Sequence, residues 1–196
     1  MTTDLLPDFI REHYEVHEWK HACAILNEDF PEEWNDIISV LQEFRLRKSW
    51  IMKPGGGKSA ISSFIDNYLY ERDWEEKEFS TRVVVDEDIR DAPTHKIDCF
   101  RNRVALEIEW NNKDPFYDRD LNNFRLLFDL RAISVGVIIT RCDELQDLFN
   151  ALNKGPSYGA STTHMSKLLP RIEGGGGGGC PILVFGISKK LYVEDE

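Results

Sequence analysis

Apolar side chains recur at helical spacing through residues 14–44: Cys23, Ile25 and Leu26, then Trp34, Ile37, Ile38, Leu41 and Phe44. That period predicts two helices. Residues 27–31 separate them, with Pro31 suited to the first turn of the second helix and Glu32 and Glu33 favouring its positive end. Ser49-Trp50-Ile51-Met52 reads as a short strand or loop before Gly55, Gly56 and Gly57. Beyond the glycines, Ile61, Phe64, Ile65, Tyr68 and Leu69 predict a third helix. Residues 74–78 are charged and read as exposed, whereas Thr81-Arg82-Val83-Val84-Val85 is rich in β-branched side chains and predicts a strand.

The strongest strand candidates are residues 97–110 and 132–140, with a helix-like stretch at 121–130 between them. Val135-Gly136-Val137-Ile138-Ile139 is almost continuously apolar, as a strand buried on both faces in a parallel crossover unit must be. A last strand is expected at 182–187. The polar stretch 155–164 and the six-glycine run 174–179 precede it, and the run reads as too flexible for a regular element. The pattern as a whole predicts an α/β fold, a central mixed sheet flanked by helices, in one domain spanning residues 1–196.

Composition narrows the classes. A chain of 196 residues that is 41% hydrophobic and 30% charged has enough apolar material for a substantial core and too much for long disorder. Its 24 Lys and Arg against 35 Asp and Glu give a net charge of −11, so no global positive field draws it to nucleic acid and any DNA contact must be local. No run approaches the roughly 18–20 apolar residues of a membrane span, and the acidic start MTTDLLPDF has no hydrophobic signal region, so a cytoplasmic protein without a membrane partner is expected. Cys23, Cys99, Cys142 and Cys180 form no CxxC pair, which points to reduced, buried thiols rather than a zinc site or disulfides.

Pro54-Gly55-Gly56-Gly57-Lys58-Ser59 ends as a phosphate-binding loop does. A Walker A loop needs a glycine five positions before Gly57, where Met52 stands, so a P-loop ATPase is disfavoured and no nucleotide cofactor is expected. Lys58, Ser59 and the free amides of a helix start suit a DNA backbone phosphate instead. His13, His17 and His21 are spaced four apart, as in a helical metal clamp, though the signal is weak and histidines on a polar amphipathic face are more often surface residues.

The informative segment is Ile97-Asp98-Cys99-Phe100-Arg101-Asn102-Arg103-Val104-Ala105-Leu106-Glu107-Ile108-Glu109-Trp110. Alternation puts Glu107 and Glu109 on one strand face and Leu106 and Ile108 on the other. A hairpin turning at Arg101-Asn102 would bring Asp98 beside Glu107. Three carboxylates so placed repel one another unless a divalent cation neutralises them, and hard oxygen donors suit Mg²⁺. Spacing alone leaves a second reading open, in which the two glutamates form the solvent face of a sheet.

Asp98, then Glu107-Ile108-Glu109 at a strand end, then a helix and an apolar strand ending Ile138-Ile139-Thr140-Arg141, resembles the PD-(D/E)xK nuclease core. It is similar in particular to the type II restriction endonucleases of the BglII and BstYI group, with BamHI more distant. His21-Ala22-Cys23-Ala24-Ile25-Leu26, Trp34-Asn35-Asp36-Ile37 and residues 116–141 carry the resemblance further. It implies a restriction-endonuclease-like fold and Mg²⁺-dependent hydrolysis of double-stranded DNA at a short palindrome, a GATC-containing one, leaving 5′-phosphates. It also implies a homodimer, each subunit cutting one strand.

By the same resemblance Asp98, Glu107 and the Ile108 carbonyl hold the metal. Glu109 stands where the general pattern has Lys and serves as base or as a further ligand. Asn111, Asn112 and Lys113 follow as a polar turn near the phosphate. Ser161, Thr162, Thr163, His164, Lys167 and Arg171 fall in the recognition region, where short polar side chains and an arginine read base edges. Lys53, Arg101, Arg103 and Lys154 are further candidates to make the cleft locally positive, and Glu71 or Asp86 to join the acids. A catalytically silent DNA-binding protein and a repair or structure-selective nuclease are the alternatives on the same fold.

Overall fold

The computed structural model describes residues 2–54, 57–91 and 94–195. Its helices are α1 Asp8–His13, α2 Ala22–Asp29, α3 Pro31–Glu43, α4 Lys48–Met52, α5 Ala60–Tyr70, α6 Phe116–Asp129, α7 Leu145–Ala151 and α8 Met165–Glu173. Its strands are β1 Tyr14–Trp19, β2 Leu46–Arg47, β3 Glu75–Lys77, β4 Arg82–Val85, β5 Asp88–Asp91, β6 Ile97–Arg101, β7 Val104–Ile108, β8 Val135–Arg141, β9 Ile182–Ile187 and β10 Tyr192–Val193. Six of them form the central sheet in the order β1-β9-β8-β7-β6-β3. β7, β8 and β9 run parallel, and β1, β6 and β3 pair antiparallel outside them.

Every residue of β7, β8 and β9 is buried, because helices cover both faces, as their apolar runs demand. Val104, Leu106, Ile108, Val137 and Phe185 pack under the N-terminal helices with Leu26, Ile37, Leu41 and Ile65. Ala105, Ile138 and Val184 pack on the other side with Leu121, Phe124, Leu127, Leu168 and Ile172 of α6 and α8. Gly136 lets α6 sit close to the sheet, since a Cβ there would come within 2.4 Å of the Phe124 ring. The β7-α6-β8 crossover and the third helix, α5, occur in the order the sequence predicts, although α6 begins at Phe116, ahead of the stretch 121–130, and β8 begins at Val135 rather than at 132; α3 starts with Pro31 in its first turn. All four cysteines are free and buried. Among the described residues no helix is long and apolar enough to cross a membrane.

Five expectations are corrected. Residues 14–19 are the edge strand β1, paired to β9, and not the start of a helix. The histidines therefore scatter: His13 ends α1 stacked on Phe9, His17 lies in β1 beside Glu15, and His21 is left-handed before α2. Residues 48–52 are helical, Ser49 being held by Asp195. Trp74 is buried, with its indole N–H donating to Asp36 at 3.0 Å. The β6–β7 turn falls one residue later, on Asn102 and Arg103, both at positive φ, as a two-residue hairpin of favoured twist requires.

The fifth concerns residues 174–179, which form consecutive hydrogen-bonded turns packed on α6. Gly178 has φ +57°, and a Cβ there would lie 2.4 Å from the Arg125 side chain. The run adjoins the start of β8, where Pro181 O accepts the Gly136 N–H, at the opposite end of the sheet from Glu107 and Glu109.

Candidate active site

The antiparallel ladder of β6 and β7 stops at Cys99 and Leu106. Beyond that pair the strands part, and acid side chains take over the amide bonds: the Ile108 N–H donates to Asp98 Oδ2 at 2.9 Å and the Asp98 N–H to Glu107 Oε2 at 3.3 Å. β7 meanwhile stays joined to β8, with the Glu109 N–H donating to Ile139 O at 2.9 Å. Two acids are thus fixed where one strand leaves its neighbour.

Asp98 and Ile108 line an open cleft of about 740 Å³. Lys53, Lys58, Ser59 and Glu76 line it too, as do Asn111, Asn112 and Tyr158. Burial pushes the Asp98 carboxyl up to about 6, against the stabilising Ile108 N–H bond. Glu107 is almost wholly buried, and burial followed by the charges of Asp120 and Asp98 raises it well above the usual range. Its Oε1 has no hydrogen-bond partner among the described residues.

Glu109 projects to the same side as Glu107, as the alternation predicts. It lies under α6, 1% exposed, where the Asn112 amide donates to it at 3.0 Å and Arg119 stands 3.5 Å away. Burial first, then the charge and hydrogen bond of Asp120, lift it to about 9, and burial raises Asp120 as well. Asp120, fully buried on α6, accepts two bonds from Arg119 at 2.8 and 2.9 Å.

The sequence reading missed Asp120 and Asp66. The signal was available, since Asp120 falls on the helical stripe of Tyr117, Leu121 and Phe124, and an acid within an apolar stripe is uncommon without a partner. Asp66 likewise sits on the inner face of α5 with Ile65 and Leu69. Glu71 and Asp86 are exposed and stay apart, the first just past α5 and the second in the β4–β5 turn.

Ser59 caps α5, accepting the Ser62 N–H at 2.9 Å. Lys58 is paired with Asp66. Gly55 and Gly56 of the glycine turn lie outside the described residues. Asn111, Asn112 and Tyr158 line the opposite wall, and the candidate recognition residues adjoin it without being among the described lining residues: Lys113 bridges to Thr162, and Thr163 and Asn112 exchange bonds. Asn111 donates to Ser157 O at 3.0 Å, and Ser161 is exposed. Thr163 is buried, while His164 bonds the Thr162 carbonyl at 2.7 Å. Lys167 and Arg171 pair with Asp114 and Asp118.

This loop is held by Arg141 at the end of β8, 1% exposed, which donates to the carbonyls of Thr163 and Tyr158 and to the Thr162 hydroxyl at 3.0–3.1 Å. Arg101 and Arg103 are corrected as cleft residues. Arg101 is bound by Glu32, Glu33 and Asp36, and Arg103 lies in the hairpin turn at the far end of β7.

Among the described residues no three His, Cys, Asp or Glu side chains enclose an ion site by themselves. Mg²⁺ does not ask for such a cage, because it commonly binds one or two carboxylates and completes its octahedron with water and phosphate oxygens. The unpartnered Glu107 oxygen beside Asp98 fits that donor set. The family model for restriction endonuclease BglII/BglIII matches residues 14–187. None of the curated proteins matches the chain.

Proposed function

The chain belongs to the restriction endonuclease BglII/BglIII family, and from that premise we propose that this type II site-specific nuclease uses Mg²⁺ at Asp98 and Glu107 to hydrolyse DNA within a short palindrome. The observation that carries the reading is the parting of β6 and β7, where the side chains of Asp98 and Glu107 replace the ladder and Asp98 lines a cleft of about 740 Å³. The Ile108 carbonyl would complete the protein's share of the metal shell. When bound, the ion supplies a lowered pKa to water and neutralises charge on the phosphate.

The remaining work falls to the chain. Asp98 and Glu107 orient each other through the two amide bonds. Glu109 is the third acid, and its partners Asn112, Arg119 and Asp120 decide whether it gives up its proton and serves as base. Lys58 and Ser59 on one wall, with Asn111 on the other and Lys113 just beyond it, contact the DNA backbone. Ser161, Thr162, Thr163, His164, Lys167 and Arg171 belong to the recognition wall, where reading bases would require Lys167 and Arg171 to exchange carboxylates for DNA. One such acid site per chain supports a homodimer, each subunit cutting one strand of a GATC-containing palindrome to leave a 5′-phosphate.

The test is incubation of the wild type and Glu107→Ala with unmethylated plasmid and phage DNA, in Mg²⁺ or in EDTA, followed by sequencing of fragment ends. Discrete fragments sharing a palindrome, from wild type in Mg²⁺ alone, are expected. Binding without cleavage of any substrate would overturn the reading.

A further inference from the structure

We propose that Lys58 is a catalytic residue of this cleft, contacting the scissile phosphate and stabilising the charge that builds on it, and that buried Asp66 is its positioning residue. The inference rests on the nuclease reading above. Phosphodiester displacement accumulates negative charge on the non-bridging oxygens, and donors fixed in advance stabilise it more than mobile ones do. The cleft is lined by Asp98 and Glu76, so a cation aimed into it has to be held against its own freedom.

Among the described residues two lysines line the cleft, Lys53 and Lys58. Lys58 is distinguished by its anchor. Its ammonium is in ion-pair contact with Asp66, whose side chain is 1% exposed, while the lysine itself is half exposed. The other Asp66 oxygen accepts the Cys99 thiol at 3.4 Å, next to Asp98 in β6. Tyr70, one turn further along α5, donates its hydroxyl to the Asp98 carbonyl at 2.8 Å, and its ring lies 5.9 Å from the Lys58 ammonium. The helix carrying the anchor is therefore tied to the strand carrying Asp98 at two places, which fixes the lysine relative to the acid.

A wholly buried carboxylate is expensive to maintain, and a single half-exposed counter-ion is a poor exchange if stability were the only return. It is a good arrangement for aiming a flexible four-carbon chain. Glu109, in contrast, carries no cation into the cleft, because its neighbour Arg119 is engaged by Asp120.

The experiment compares wild type, Lys58→Met, Lys58→Arg, Asp66→Asn and the Lys58→Met/Asp66→Asn double variant. Single-turnover cleavage rate in Mg²⁺ and affinity in EDTA are measured separately, on a duplex bearing the site read from wild-type fragment ends. Lys58→Met is expected to slow cleavage about 10²- to 10³-fold with affinity changed by only a few-fold, and Lys58→Arg to recover part of the rate. Asp66→Asn should slow the wild type yet add nothing in the Lys58→Met background, which a merely structural role would not produce. Cleavage by Lys58→Met at the wild-type rate, equal losses of rate and affinity, or an Asp66→Asn effect undiminished in that background would each overturn the proposal. Absence of cleavage by the wild type would overturn it together with the nuclease reading, whereas an active wild type beside an indifferent Lys58→Met overturns this inference alone.

Discussion

The acid cluster has an open side and a sealed side, and they differ although each combines carboxylates with one cation. On the open side Asp98 faces the cleft and lies near Lys58 and Asp66, with its carboxyl raised only to about 6. On the sealed side Glu109 and Asp120 lie under α6 with Arg119, and Glu109 is raised to about 9. Exposure and donor bonds account for the difference. Asp98 keeps solvent and an amide donor, whereas the sealed pair loses water, and burial raises both of its carboxyls. The acid that faces the cleft is thus raised less than the acids sealed behind it.

The largest expected effect separates the sides directly. Glu107→Gln should lower the single-turnover cleavage rate by roughly a thousandfold or more, and Asp120→Asn by about ten- to a hundredfold, as a partner of partners does. Equal losses would erase the distinction. Next comes Arg141, the buried end of β8. Arg141→Met leaves two carbonyls and a hydroxyl without their donor and should destabilise the protein by roughly 3 kcal/mol in urea unfolding.

The protonation contrast predicts a pH dependence. Carboxyls raised in the folded state hold protons that the unfolded chain has released, so the stability they confer is complete below the ordinary carboxylate range and is lost as pH rises. For Asp98 the loss ends near 6, and for Glu109 it runs on to about 9. The melting temperature of the metal-free protein should therefore fall between pH 5 and pH 9 by roughly 5 °C. Glu109→Gln should lessen the decline above pH 6, the remainder belonging to Glu107, which burial also raises well above its usual range, and a slope unchanged in that variant would mean that Glu109 is not a raised group. The smallest effect is a control at the other end of the sheet: Gly178→Ala, at φ +57° and against Arg125, should cost about 1–2 kcal/mol of stability and leave the cleavage rate unchanged.

Much of this site was legible along the chain. Asp98, Glu107 and Glu109 were readable because strand alternation is a property of the backbone, and a two-residue turn then forces the first acid toward the second. The helix–strand crossover was readable from the apolar run of β8. Edge strand β1 was not, because its residues Tyr14 to Trp19 satisfy a helical period as well as a strand one, and only pairing with β9 decides between them. The glycine run was misread because composition reports backbone freedom, while the turns in residues 174–179 are fixed by their packing on α6.

The sequence by itself determined which acids share a strand face, which strand is buried on both sides, and where α3 and α5 begin, since each depends on neighbours within a few residues. Only the tertiary structure decided that Asp120 and Asp66 join those acids, that Lys58 is anchored by Asp66, and that Arg141 holds the loop of Tyr158, Thr162 and Thr163. Those partners come from elements far apart in the chain. Desolvation by the packed helices, which no local pattern encodes, sets how far each carboxyl is raised.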